Sequence, residues 1–241
     1  MLRSLALAVS LLALSACGGS EAEEPALNTG DVVSAATASS SAEAQGQDAP
    51  APEPVPAPEG TLSNQDMALG SEDAPLTVVE YASVTCPGCA GFHQSYFPLI
   101  KQELIETGQV RFVFREFPTN PAELSFAGSI LARCAANDAG APAYFAMVDA
   151  LFKRQREWAY GTDPAGTLEE IFSQVGFDRE KIESCLRRTD ILETVKANTA
   201  LGQEQGVDRT PTLLIDGERF DISGSPEEFV AALRAEAEKR R

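Results

Sequence analysis

Leu76-Thr77-Val78-Val79-Glu80-Tyr81 and, after four intervening residues, Cys86-Pro87-Gly88-Cys89 together give the chain its architecture. The first six residues are short and rich in β-branched side chains, which reads as a strand. From Cys86 to about Thr107, Phe92, Tyr96, Leu99, Ile100 and Leu104 recur at helical spacing, and Pro98 among them predicts a kink. Val110 to Glu116 alternates and predicts a second strand. Such a β-α-β unit calls for a right-handed crossover and a sheet covered by helices. Residues 119–208 read as almost entirely helical, with no strand alternation. Beyond them Thr212–Ile215, Asp216-Gly217 and Arg219–Ile222 predict a β-hairpin on a type I′ turn. Ser225-Pro226-Glu227-Glu228 reads as a capping box opening a last helix to the C-terminus. The expected fold is therefore α/β: a β-α-β half, a helical insertion, and a β-β-α half.

The cysteine pair falls where a strand gives way to a helix. Helix N-termini present free N–H groups and about half a positive charge, which stabilise a thiolate. Cys86, at the exposed first position, is expected to ionise easily; Cys89, one turn in, is expected to be buried and to act second. Pro87 suits the first turn, where its missing N–H is not needed. Zinc would need four ligands, and the chain has no second CxxC and a single histidine, His93. A purely structural disulfide across two residues would constrain the unfolded chain little. A soft copper site built from Cys86, Cys89 and His93 is a rival from another class. His93 lies about two helical turns after Cys86 and reads first as a packing residue. Trp158 and Tyr160 need no ligand to explain them: core packing or a surface loop suffices.

Taken together, the strand, Cys-Pro-X-Cys, kinked helix, helical insertion and Thr210-Pro211 before the last hairpin resemble the DsbA-type thiol–disulfide oxidoreductases of the thioredoxin fold. The resemblance runs from about Met67 to Arg234. It implies that Cys86 attacks and Cys89 resolves, with Pro87 and Gly88 between them facing substrate. It also implies that Pro211 is a cis proline opposite the pair, with Thr210 lining the substrate groove. Glu80, six residues before Cys86, matches the position of a buried acid that relays protons in that family; an outward strand carboxylate is the alternative. Gly88 departs from the His of DsbA itself, so oxidant strength does not carry over. No cofactor is implied. The resemblance implies unfolded or partly folded exported proteins as substrates and a membrane redox partner. The direction expected is disulfide donation, with reduction or isomerisation as the alternative.

Across the whole chain acids outnumber bases 36 to 19, for a net charge of -17. That argues against a nucleic-acid partner, whose phosphates need Lys and Arg. Residues 1–16 read as an export signal: Arg3 leads an apolar stretch from Leu5 to Leu14, too short to remain as a membrane span. Leu14-Ser15-Ala16-Cys17 resembles the lipobox of bacterial lipoproteins, which implies acylation of Cys17 and anchoring to the inner or outer membrane of the periplasm; cleavage after Ala16 or a little later, with Cys17 incidental, is the alternative. Residues 17–60 hold eight acids, no Lys or Arg, and an alternating Ala/Pro run, so they predict an extended, unpacked tether. Residues 61–241 form the folded domain. Nothing in the polar tether suggests a dimerisation module, so a monomer is expected. Of five cysteines, Cys134 and Cys185 remain. Two free thiols beside an oxidase would be a liability, so a bridge between them is expected, with two buried unpaired thiols as the alternative.

Overall fold

The computed structural model describes residues 65–241. The signal segment, Cys17 and the tether lie outside the described residues. The sheet contains five strands, β1 (Met67–Leu69), β2 (Leu76–Ala82), β3 (Val110–Glu116), β4 (Thr212–Ile215) and β5 (Glu218–Phe220), in the order β1-β3-β2-β4-β5. The decisive stretch is the central strand. β2 runs parallel to β3, with Val78 opposite Phe112, and antiparallel to β4, with Glu80 opposite Leu213. Burial on both faces explains its near-continuous apolar run. Val78 and Ala82 face the main core, and Glu80 shares their side. Val79 and Tyr81 face the other layer, with Val207, Leu214 and Phe117.

The crossover from β2 to β3 is α1 (Pro87–Ser95), α2 (Phe97–Ile100) and a π-helical turn at Lys101–Ile105. A single kinked helix was expected over this region; the chain breaks instead, at Tyr96. Pro98 has no N–H to give to Gln94 and crowds its carbonyl, so the helix stops at Ser95 and restarts with Pro98 in its first turn. Two further departures are small. β1 has no alternation to announce it and pairs antiparallel with the free edge of β3. β5 ends at Phe220, short of Ile222. Asp216 and Gly217 both take positive φ, 53° and 85°, as a type I′ turn demands.

The insertion comprises α3 (Ala122–Ala139), α4 (Ala141–Lys153), α5 (Gln155–Trp158), α6 (Pro164–Ser173), α7 (Arg179–Leu186) and α8 (Thr189–Glu204). Trp158 is fully buried in it and donates from Nε1 to the Leu151 carbonyl. Cys134 of α3 and Cys185 of α7 are joined by a disulfide across 51 residues of sequence. Where the insertion meets the end of β3, Arg133 lies fully buried against Glu116 in a two-pronged ion pair of 2.6 and 2.9 Å. Tyr144 and Asn198 each donate to the same carboxylate at 2.7 Å. Finally, α9 (Pro226–Glu238) starts at a complete capping box, Ser225 with Glu228, and covers the sheet with Phe229 and Leu233.

Candidate active site

Cys86 is the N-cap of α1, and its backbone is extended (φ −78°, ψ 120°) while its carbonyl already accepts from Ala90. The Cys89 N–H points at Cys86 Sγ at 3.4 Å. Both cysteines are free thiols. Their surroundings differ. Hydrogen bonding from the Cys89 thiol, opposed by burial and aided by the Thr210 side chain and the Cys89 and Gly88 N–H groups, lowers the Cys86 pKa from 9.0 to about 6. The Thr210 carbonyl, 3.4 Å from the same sulfur, accepts from the protonated thiol and works the other way. Burial first, then the Cys86 sulfur, then the charge of Glu80, hold the Cys89 thiol well above its usual range. Cys86 is 8% exposed and Cys89 fully buried, so the first cysteine is less open than its position in the sequence suggests. The reason is the Thr210–Pro211 loop, whose peptide is cis and which packs over it. A Cβ on Gly88 would lie 3.3 Å from Pro211 Cδ and 3.7 Å from Cys86 Sγ, a tight contact and an ordinary one, so glycine leaves room beside the sulfur. Pro87 occupies the first turn of α1.

Glu80 is fully buried on the core side of β2. Its Oε2 lies 2.7 Å from His93 Nε2, and its Oε1 is sealed from solvent without a hydrogen-bond partner. His93 sits on the inward face of α1 between Phe97 and Phe152, whose rings are each 4.7 Å from its own, with Phe114 nearby. This placement corrects the copper reading: Nε2 turns to Glu80, and no group of three metal-binding side chains forms among the described residues. Beside the cysteines, a groove of about 570 Å³ runs between α1 and the β4–β5 hairpin. Gly88, Phe92, Tyr96, Thr210, Pro211 and Phe220 are among its lining residues.

A strand feeding a cysteine-capped helix, with a proline loop packed over the cysteine, invites comparison with known proteins. Residues 62–235 match the family model described as Thioredoxin. The chain belongs to the thioredoxin family. A Rickettsia typhi relative named as a protein-disulfide oxidoreductase is 32% identical over 183 residues, covering 74% of this chain and 66% of that one. The Bacillus subtilis protein named disulfide bond formation protein D is 26% identical over 61% of this chain and 66% of that one. Against the Rickettsia bellii relative the chain spans only 51% of the other's length. Among solved structures, Wolbachia pipientis alpha-DsbA1 superposes with a TM-score of 0.64 at 24% identity, covering 73% of this chain and 94% of that one. The fold is that of thioredoxin with a helical insertion, as expected from the sequence. No helix among the described residues is long and apolar enough to cross a membrane.

In this thioredoxin-family chain the insertion also holds the cysteine turn, which the sequence did not announce. Gln155 of α5 is buried and donates from Nε2 to the carbonyls of Val84 and Cys86, at 2.8 and 3.0 Å. Ser83 Oγ pairs with Ser125 of α3 at 2.7 Å, and Thr85 donates to the Thr119 carbonyl. Tyr160, half exposed, donates its hydroxyl to the Thr85 carbonyl. The one signal available beforehand was the pair of hydroxyl residues Ser83 and Thr85 between an apolar strand and the cysteines. Gln155 carries no signal, because nothing local says which carbonyls a buried amide will meet.

Proposed function

We propose that this protein is a thiol–disulfide oxidoreductase of exported proteins, held in the periplasm by an acylated Cys17 and acting as a disulfide donor. The observation that carries the reading is the unequal pair: Cys86 poised as a thiolate with a pKa of about 6, and Cys89 sealed beneath it with its pKa raised. In the oxidised enzyme a client thiolate attacks Cys86 Sγ. The Cys86–Cys89 bond breaks, and Cys89 leaves with the electron pair and takes a proton from Glu80. A second client thiolate then attacks the client sulfur of the mixed disulfide, and Cys86 leaves as a thiolate. The client gains a disulfide, and its two electrons stay on the enzyme until a membrane redox partner removes them. Clients lie in the groove beside Thr210 and Pro211, with Gly88 lining it near the sulfur, whereas Pro87 turns to the other side of α1, toward Phe152 and Gln155.

A stabilised thiolate makes the disulfide more oxidising, because it favours the reduced form. A Cys86 pKa of about 6 lies between the values of about 7 for thioredoxin and about 3.5 for DsbA. The reduction potential therefore separates donor from reductant. Equilibration in glutathione buffers, alkylation and mass counting of thiols would measure it. A value near about -120 mV supports donation; one near about -200 mV or below moves the reading to reduction or isomerisation. A pair that never exchanges would overturn the activity.

A further inference from the structure

Each oxidation of the cysteine pair must remove one proton from Cys89, and each reduction must return it. Cys89 is fully buried, and so is Glu80. A proton that Glu80 takes from Cys89 must therefore be balanced by one that leaves the buried surroundings of Glu80. Among the described residues, the titratable group that Glu80 hydrogen-bonds is His93, at 2.7 Å. His93 also lines a second cleft, of about 360 Å³, which shares no lining residue with the groove beside Pro211. Leu69, Phe97, Pro142 and Phe145 form its apolar walls, and Lys101 and Asp149 add charge to its lining. Nε2 faces Glu80, which leaves the other ring nitrogen, Nδ1, without a protein partner among the described residues to exchange with water in this cleft.

We propose that His93 releases to the second cleft one proton for each that Glu80 takes from Cys89, and recovers it on reduction, so that protons and client chains reach the site from different sides of α1. The inference rests on the oxidoreductase reading above and extends it. Cys89 S–H gives its proton by way of a bridging water to Glu80 Oε1, which no protein group occupies, and the sulfur electron pair attacks Cys86 Sγ in a mixed disulfide. The Cys86–Cys89 bond forms, and the partner sulfur leaves with the electron pair of the broken bond. At the other end, imidazolium Nδ1–H releases a proton to cleft water, while Nε2–H stays donated to Oε2. The pair begins as carboxylate and imidazolium and ends as carboxylic acid and imidazole. It has no net charge in either state, which avoids the cost of an unpaired buried charge. Reduction runs the same route backwards. The titratable or charged groups facing it are Cys89 from α1, Glu80 from β2, Tyr144 and Asp149 from α4, and Lys101 from the π-helical turn.

The test uses the reduced full chain and an aromatic disulfide reagent whose thiolate is coloured. Release comes in two phases, the first from attack by Cys86 and the second from attack by Cys89. His93→Gln keeps a donor for Glu80 but cannot pass a proton. It should leave the first phase unchanged and slow the second on the order of 10–100-fold at about pH 6–7, with the deficit closing as hydroxide replaces the relay. In His93→Ala, imidazole entering through the cleft should restore the second phase. A second phase in His93→Gln that follows the unsubstituted protein at every pH overturns the relay. So does equal slowing at every pH without rescue by imidazole, which would mark His93 as packing only. Absence of the first phase in the unsubstituted protein overturns the oxidoreductase reading itself.

Discussion

At the residue scale, the two cysteines were separable in the sequence because their difference is local: one caps a helix and the other lies a turn inside it. What could not be read was the shielding of Cys86, since the covering Thr210–Pro211 loop is 124 residues away. The lowered pKa gives a definite pH dependence. With its pKa reduced from 9.0 to about 6, Cys86 stabilises the reduced fold fully above about pH 9, and this contribution is lost as pH falls through about 6. Ultraviolet absorbance of the thiolate should show a midpoint near pH 6 that vanishes in Cys86→Ser. Urea midpoints of the reduced protein should rise between those pH values, and those of Cys86→Ser should not follow. Thr210→Val removes a side chain that favours the thiolate and should raise the absorbance midpoint.

At the scale of elements, β2, α1 and the hairpin were legible because each carries its own period or turn signal. β1 was not, because its three residues become a strand only where β3 offers an edge. The end of β3 hid more. Glu116 reads in sequence as the last residue of an alternating run, yet it anchors the insertion through Arg133, Tyr144 and Asn198. Burial alone would raise its pKa, but the Arg133 guanidinium overrides that and holds the carboxyl below its ordinary value. The stability it contributes is thus present above about pH 4.5 and lost as pH falls through the lowered value. Arg133→Met leaves the carboxylate buried without its countercharge and should cost about 3–5 kcal/mol in chemical denaturation. Adding Glu116→Gln to that variant should recover much of the loss, because it removes the unpaired buried charge and keeps an amide oxygen to accept from Tyr144 and Asn198.

At the scale of the molecule, the β-α-β and β-β-α halves and the place of the insertion between them followed from the sequence, whereas the order of strands in the sheet and the way the insertion grips it did not. The Cys134–Cys185 bridge ties α3 to α7. Replacing both cysteines by alanine should lower stability by about 4 kcal/mol in the chain-entropy model, read from denaturant midpoints, while exchange at Cys86 and Cys89 continues. The helical block cannot be treated as luggage on a thioredoxin chassis. Shorten the chain to sheet, α1 and α9, and the carbonyls of Val84 and Cys86 lose the amide of Gln155. The turn that aims the cysteine would then be free to swing. A minimal version of this protein would have to be redesigned at that turn before anything else, because part of the scaffolding around the Cys86 sulfur is supplied from outside the parent fold.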